Sequence, residues 1–372
     1  MMITAMNLMI TGLGMITSVG FDAASSCASI RAGLNRRREI DYYTTLETET
    51  MDAIPIIGCP VSGYADGFNK VGRWIRLGLG CLQDLIDQNA LPDSSDAQFW
   101  LKTGLIGVTP PCQEPRIDAD EACTPTDVQH AFLHPLLDQL DRPIPKSNLE
   151  MVCGGHSGAV MAVDRAPDMM ARKGLERVIV LGVDSYLDPE SLDWLAENHR
   201  LKIESVPTGL MPGEAGACFL LESGRAAQNR RAKGLAVVVQ PALGTEENHY
   251  YSDGSSQGAA LAGVIHQAIV NAGLDGPFAG EVISDMNGET WRAYELGSAR
   301  IRLSSVLSGE AGFIFPADSL GEVGAASGAV AICMAARMLH RRYSLGDTVL
   351  IASSSDAGPV GALCVRNAIA TS

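Results

Sequence analysis

Positive charge is scarce in this 372-residue chain, in which 28 lysines and arginines face 43 aspartates and glutamates, for a formal net charge of −15 at pH 7. Nucleic acids and anionic membrane surfaces repel so acidic a chain, so we expect neither as a partner. No apolar run reaches the length that spans a bilayer, and no basic segment precedes the first apolar stretch. We therefore expect a soluble, cytoplasmic protein.

Paired motifs for metals or disulfides are also missing. The nine cysteines are an odd number without a CxxC pair, and most of them lie in apolar runs, as Cys81, Cys218, Cys333 and Cys364 do. This pattern is typical of reduced, buried thiols rather than of a disulfide framework or a zinc site. The histidines other than His156 lack paired spacing with carboxylates or thiols, so we predict no metal site.

A nucleotide-binding fingerprint is incomplete. An apolar strand from Leu8 leads into a glycine turn, where Gly12 and Gly14 fit the dinucleotide motif but Thr17 stands in place of its third glycine. We therefore expect no nucleotide, and we expect no other cofactor.

Alternating apolar strands and amphipathic helices, separated by many of the 39 glycines, predict an α/β fold. The order of strands and helices in the first part of the chain recurs in the second, and the polar segment 226–233 lies between the two parts. This recurrence predicts an internal duplication, with one half over residues 1–228 and the other over 229–372.

The stretch 151–185 is the most informative. A glycine-rich turn over 154–158 opens a helix of small residues that ends at Gly174, and a buried strand over 177–182 follows. The free N–H groups at such a helix start favour a nucleophile or an anion. An ordinary strand–helix turn gives the same pattern, so both interpretations stay open.

Five segments resemble the β-ketoacyl synthases of the thiolase-like superfamily. They are ITGLGMITSVG (10–20), MVCGGHSG (151–158), VLGVDS (180–185), PGEAGACFLLE (212–222) and GEVGAASGAVAI (321–332). The resemblance implies a thiolase-like fold of two duplicated α/β halves, with mixed five-stranded sheets and helices layered as α-β-α-β-α. It also implies a homodimer.

The same resemblance implies that the catalytic groups have changed. A condensing enzyme uses a cysteine at the helix N-terminus and two histidines. An ungapped alignment places Ser157 at the nucleophile position, one inserted residue places His156 there, and Cys153 is the one cysteine nearby. The two histidine positions fall on Asn287 and Glu322. An alcohol without a histidine base, together with a carboxylate facing an oxyanion, predicts a pseudoenzyme without condensing activity.

A closer likeness joins GHSG, GVDSY, PGEAGA, NGETWRAYE and SLGEVGAASG to degenerate synthase-like proteins encoded among bacterial type VI secretion genes. It implies an accessory role in binding or assembly, with a secretion effector or adaptor as partner. The alternative is an active acyltransferase, similar to a 3-oxoacyl-acyl-carrier-protein synthase, that acts on acyl thioesters through Cys153, Ser157 or His156. Such an enzyme needs an open apolar tunnel that leads to residues 153–157.

The resemblance also gathers polar side chains around the expected pocket, namely His156, Asp285, Asn287, Glu289, Arg292, Glu295, Glu322, Ser355 and Asp356. In one hypothesis a neutral His156 accepts a proton from Ser157, with Glu322 or Asp285 orienting the imidazole. In the other, which we prefer for that cluster, Glu289, Arg292 and Glu295 form a structural ion-pair network.

Overall fold

The computed structural model describes residues 8–47, 50–117, 123–274 and 276–368. Its strands are β1 (Leu8–Thr17), β2 (Arg38–Leu46), β3 (Ala53–Gly58), β4 (Thr103–Thr109), β5 (Leu149–Cys153), β6 (Arg177–Ser185), β7 (Glu214–Ser223), β8 (Ala236–Val238), β9 (Ala242–Thr245), β10 (Glu281–Ser284), β11 (Gly312–Ile314), β12 (Thr348–Ser354) and β13 (Pro359–Asn367). Its α-helices are α1 (Ala23–Arg31), α2 (Lys70–Gln88), α3 (Ala97–Leu101), α4 (Pro125–Val128), α5 (His134–Leu140), α6 (Gly158–Lys173), α7 (Pro189–Glu197), α8 (Gly224–Asn229), α9 (Ala259–Asn271), α10 (Thr290–Arg302), α11 (Ala317–Leu320) and α12 (Ser327–Arg341).

The same strand arrangement is built twice. In the first half the order is β1-β7-β6-β4-β5, with β7 antiparallel to both neighbours and β6, β4 and β5 parallel. In the second half β8 and β9 together take the place of β1, and β13, β12, β10 and β11 follow with the same directions. The predicted boundary between residues 228 and 229 lies in α8, between the two arrangements, and remains a prediction.

A short antiparallel pairing of β1 with β8, from Leu8 opposite Val238 to Ile10 opposite Ala236, joins the two arrangements edge to edge. Within the described residues they therefore form one continuous sheet of 11 strands. The sequence predicts a single strand over 235–243, whereas the structure divides this segment into β8 and β9, both paired with β13.

Successive residues of the central strands face different cores. In β6, Val180 belongs to the central core and Leu181 to an outer core that α2 covers. In β12, Ile351 faces the central core and Leu350 an outer core that α9 covers. Because α6 and α12 both pack within the central core, the layers follow the α-β-α-β-α order. Strands apolar on both faces are typical of sheets buried in this way.

Local sequence signals mark two helix ends correctly. The sequence predicts Asp22 as the N-cap of a short helix, and Asp22 caps α1 by accepting a hydrogen bond from the Ser25 N–H. Gly174 ends α6 in the left-handed conformation, as predicted. The strand predicted over 100–108 begins only at Thr103, because its first residues complete α3. Helix α10 was missed, since its sequence TWRAYELGSARIR carries charges on several faces. None of the helices in the described ranges is long and apolar enough to cross a membrane.

The two halves bring equivalent helix starts face to face. A 3₁₀ turn over Gly155–Ser157 precedes α6, and one over Gly324–Ala326 precedes α12. Gly328 makes this approach possible, because a Cβ at that position would lie 2.9 Å from the His156 carbonyl oxygen and 3.0 Å from the Ala159 Cβ. The polar residues predicted from sequence lie around this meeting point.

Candidate functional site

The candidate site is assembled from loops that follow strands of both halves. His156 and Ser157 come after β5, Asn287 comes after β10, and Ser355 lies in the turn between β12 and β13. Glu322 directly precedes the turn that opens α12. Because β10 and β12 are neighbouring parallel strands, their carboxyl ends place the loop residues side by side.

The centre of the site is a buried ion pair. His156 Nε2 lies 2.9 Å from Glu322 Oε1, and the two residues are 4% and 3% exposed. Burial works to raise the pKa of the Glu322 carboxyl, but the His156 charge, its hydrogen bond and Arg292 outweigh burial and lower that pKa to about 2. Glu322 is therefore ionised at neutral pH.

The surroundings of His156 favour the protonated imidazole, whereas the sequence favours a neutral one, and the neutral form remains a prediction. Burial and the Arg292 charge act to lower the His156 pKa, yet the carboxylates of Glu322 and Asp356 raise it overall. Arg292 Nη2 lies 3.3 Å from Nδ1 and 3.1 Å from Nε2 of the ring. Because Arg292 Nη2 is nearly equally far from the two ring nitrogens, the guanidinium lies over the face of the imidazole ring. The imidazole is thus held between Glu322 and Arg292.

Glu322 and Asn287 are each held by several hydrogen bonds within the protein. The second Glu322 oxygen accepts a hydrogen bond of 2.5 Å from Asn287 Nδ2, and the first also accepts 2.6 Å from the Gly324 N–H. Asn287 Nδ2 donates in addition to Glu289 at 2.9 Å. The residues at both positions of the implied histidines are thus bonded to each other and to the protein.

Two buried arginines complete the network. Arg200 binds both Glu289 oxygens at 2.7 Å and Asp356 at 2.7 Å, while Arg292 binds the other Asp356 oxygen at 2.5 Å. Burial works to raise the Asp356 pKa, but the two arginines hold it well below its usual value. Asp285, 3.6 Å from Arg292, keeps a raised pKa because burial dominates there.

The predicted pairing among Glu289, Arg292 and Glu295 is wrong in its partners. Within the described residues Glu289 pairs with Arg200, Arg292 pairs with Asp356 and Asp285, and Glu295 accepts a hydrogen bond of 2.9 Å from Ser256. The three residues stand on the start of α10, but the acids that balance Arg292 come from other loops. An ion-pair network is present, although it is built across the chain rather than within one helix.

Ser157 is held by hydrogen bonds with Ser355. Ser355 Oγ donates to the Gly154 carbonyl at 2.6 Å and accepts from the Ser157 N–H at 3.0 Å. Ser157 Oγ lies 3.0 Å from Ser355 Oγ and 3.3 Å from the Gly154 oxygen, and the residue is fully buried. These partners replace the predicted contact with His156, because adjacent residues of the turn point their side chains apart.

Cys153 lies on the other side of the sheet edge. Its thiol packs against the outer core and accepts a hydrogen bond from Thr109 Oγ1 at 3.6 Å. Burial raises the pKa of this thiol. A reactive cysteine needs the opposite shift, toward thiolate. Its position therefore gives no sign of an activated nucleophile.

Side chains bind three backbone N–H groups in the 3₁₀ turns that precede α6 and α12. Glu322 accepts from the Gly324 N–H, Asp184 from the Ala325 N–H at 2.9 Å, and Ser355 from the Ser157 N–H. Asp184 is held in turn by Arg116 at 2.6 Å. These three N–H groups are thus already bonded and do not face a ligand as free donors.

The cavity at the site is small, and a larger cavity lies elsewhere in the protein. A cavity of about 10 Å³ is lined by Asp285, Glu322 and Ser327 among others, which is room for about one water. A larger one of about 400 Å³ is lined by side chains that include Trp74 and Phe132. Neither is lined by any of residues 153–157, so neither is the apolar tunnel that the acyltransferase alternative requires.

Sequence reasoning missed several members of the site. Arg200, which balances two carboxylates, is 89 and 156 residues from its partners and gave no local signal. Its guanidinium lies 4.2 Å from the Tyr250 ring centre and 5.3 Å from that of Trp194, and Arg292 lies 4.5 Å from that of Trp291. Aromatic rings therefore cover the network. Across the described ranges, no group of three or more His, Cys, Asp or Glu side chains has a metal-binding arrangement.

Comparisons with known proteins establish the fold. Among solved structures, the chain is similar to the ishigamide ketosynthase/chain length factor, with a TM-score of 0.74 and 16% identity over 97% of this chain and 99% of that one. It is similar to the oxazolomycin ketosynthase domain of Streptomyces albus JA3453, with a TM-score of 0.73 and 15% identity over 97% and 75% of the two chains.

A third similar structure is a β-ketoacyl synthase from Burkholderia phymatum STM815, with a TM-score of 0.68 and 15% identity over 97% and 99%. No protein-family model matches the sequence, and no curated protein does. At these identities the likeness shows the fold alone, and the chain has the thiolase-like fold of ketosynthases.

Proposed function

We propose that this ketosynthase-fold chain has no condensing activity and acts by binding or assembly. The observation that best supports the proposal is the buried pair of His156 and Glu322, which Asn287 locks in place. If Asn287 and Glu322 occupy the positions of the two catalytic histidines, neither can perform a histidine's task in this network.

The chemistry argues against condensation at each step. An ionised Glu322 repels a developing oxyanion, and loss of a single oxyanion donor lowers a rate by about a hundred- to a thousandfold. Ser157 has no general base within hydrogen-bond reach, because its hydroxyl contacts Ser355 and Gly154. Cys153 has a raised pKa and lies on the far side of β5. No nucleophile in this arrangement is activated.

The proposed partners follow from the edge of the sheet and from the sequence resemblance. Strand β5 pairs only with β4 among the described strands, which leaves one backbone edge for a second copy of the chain. This edge supports a homodimer. An accessory role in type VI secretion, with an effector or adaptor as partner in the cytoplasm, rests on the resemblance alone.

Intact-protein mass spectrometry after incubation with short- and long-chain acyl-coenzyme A tests the proposal. The samples are the wild type and the variants Cys153→Ala, Ser157→Ala and His156→Ala, with a working synthase as positive control. We expect no acyl adduct on any of the four proteins while the control is labelled. An adduct on the wild type that disappears in just one variant would identify the nucleophile and establish the acyltransferase alternative.

A further inference from the structure

A second polar cavity lies at the opposite end of α12 from His156. With a rise of 1.5 Å per residue, the 15 residues of α12 separate the two places by about 20 Å. The cavity measures about 240 Å³. It is lined by Leu13, Ala23, Ala24, Gln88, Asn89, Leu235, Arg337, His340 and Arg341.

Cationic side chains dominate this cavity. Arg337, His340 and Arg341 lie three and four positions apart on α12, so they share one helical face. Burial lowers the pKa of His340, and the charges of Lys233, Arg341 and Arg337 lower it further. Arg31 approaches from α1 and stacks on Tyr343, which lies just beyond α12, at 4.3 Å. Like charges therefore meet here from three segments of the chain.

These basic side chains have no carboxylate partner in the part of the chain that the structure describes. Among the ion pairs of the described ranges, none includes Arg31, Lys233, Arg337, His340 or Arg341. The carboxyl end of α12 attracts positive charge, but its dipole amounts to only about half an elementary charge. The cluster exceeds what the helix end can balance.

We propose that this cavity binds the phosphate group of a small soluble ligand. Arginine presents paired donors that fit phosphate oxygens, and a doubly charged group relieves the repulsion among several cations better than a single carboxylate does. The Gln88 side chain at the rim adds a neutral donor, and the concave wall excludes part of the water that weakens such contacts.

Inorganic phosphate is the probe for the test. Thermal unfolding is followed as phosphate is added, against sodium chloride at the same ionic strength and against acetate, and ³¹P line broadening is measured at a temperature where the protein is folded. We expect phosphate to raise the unfolding midpoint and broaden the line, and acetate to act at least about tenfold more weakly. Equal effects of phosphate, acetate and chloride would overturn the proposal.

Matched variants test whether phosphate binds in this cavity. Arg337→Gln combined with Arg341→Gln removes two cations from the cavity, and we expect phosphate affinity to fall by at least about tenfold. Arg300→Gln combined with Arg302→Gln makes the same charge change in the last turn of α10, and phosphate affinity should remain at the wild-type value. Equal affinity in both double variants would assign binding to another place and refute the cavity. The ³¹P measurement keeps this comparison valid if one variant is less stable.

Discussion

Replacing Glu322 with glutamine removes its charge while the side chain keeps its shape, and it also turns one acceptor oxygen into a donor. The pKa of Glu322 falls from 4.5 to about 2 in the folded protein. Since one pKa unit corresponds to about 1.4 kcal/mol, the ionised carboxylate contributes about 3 kcal/mol to the free energy of unfolding. Removing one partner of a buried ion pair costs a similar 3–5 kcal/mol or so in other proteins.

The direction of the Glu322 pKa shift determines how the stability difference between variant and wild type changes with pH. A carboxyl group whose pKa is depressed on folding contributes fully above its unfolded value of 4.5, and the contribution is lost as pH falls from there toward about 2. We therefore expect Glu322→Gln to lower the free energy of unfolding by about 3 kcal/mol at pH 6, and the difference from the wild type to narrow below pH 4.5.

Urea unfolding at several pH values measures this difference. Glu310→Gln, at an exposed glutamate, is the matched control and should change the free energy of unfolding by less than about 0.5 kcal/mol. The raised pKa of His156 acts in the other direction, because its contribution is present below 6.5 and is lost as pH rises through the folded value. Equal stability of Glu322→Gln and the wild type at pH 6 would refute the buried-charge reasoning.

Three further measurements test other parts of the structure. Burial raises the pKa of Asp84 from 3.8 to about 6, so wild-type stability should fall as pH rises across that range, and Asp84→Asn should remove this slope in urea unfolding. Ser355→Ala leaves the Ser157 N–H without its acceptor and should cost about 1–3 kcal/mol by the same assay, whereas an unchanged value means that this bond contributes nothing. If β5 pairs with a second copy, light scattering should give twice the monomer mass of 39.3 kDa; a mass of 39.3 kDa contradicts the dimer.

Local chemistry explains which parts of the fold the sequence could predict. The Asp22 cap and the Gly174 end of α6 depend on a few neighbouring residues, and both were predicted correctly. Helix α10 has few apolar residues and lies beside the site, and it was missed. The division of one predicted strand into β8 and β9 depends on pairing with β13, which is more than a hundred residues away. Local patterns carry no information about such a partner.

The site was even harder to predict from local sequence patterns than the fold. His156 and Glu322 are 166 residues apart, and only the resemblance to a duplicated fold suggested that they approach each other. No resemblance indicated Arg200, and without it Glu289 was assigned to the wrong arginine. The pKa of His156 depends on a distant partner for a related reason. The helix start favours a neutral imidazole, but a carboxylate from the other half raises the pKa of the ring.

The side-chain contacts of the turns before α6 and α12 connect the proposed loss of catalysis to stability. In this fold two helix N-termini meet at the centre of the molecule, and their backbone N–H groups need acceptors when no ligand supplies them. Ser355, Glu322 and Asp184 supply those acceptors here, and the arginines that hold Asp184 and Asp356 balance the resulting negative charge. Buried N–H groups and carboxylates are each costly alone, but together they satisfy one another. A ligand oxyanion would have to displace a bonded carboxylate to reach the same N–H groups. The arrangement that stabilises the meeting of the two halves therefore agrees with the proposal that the chain has no condensing activity.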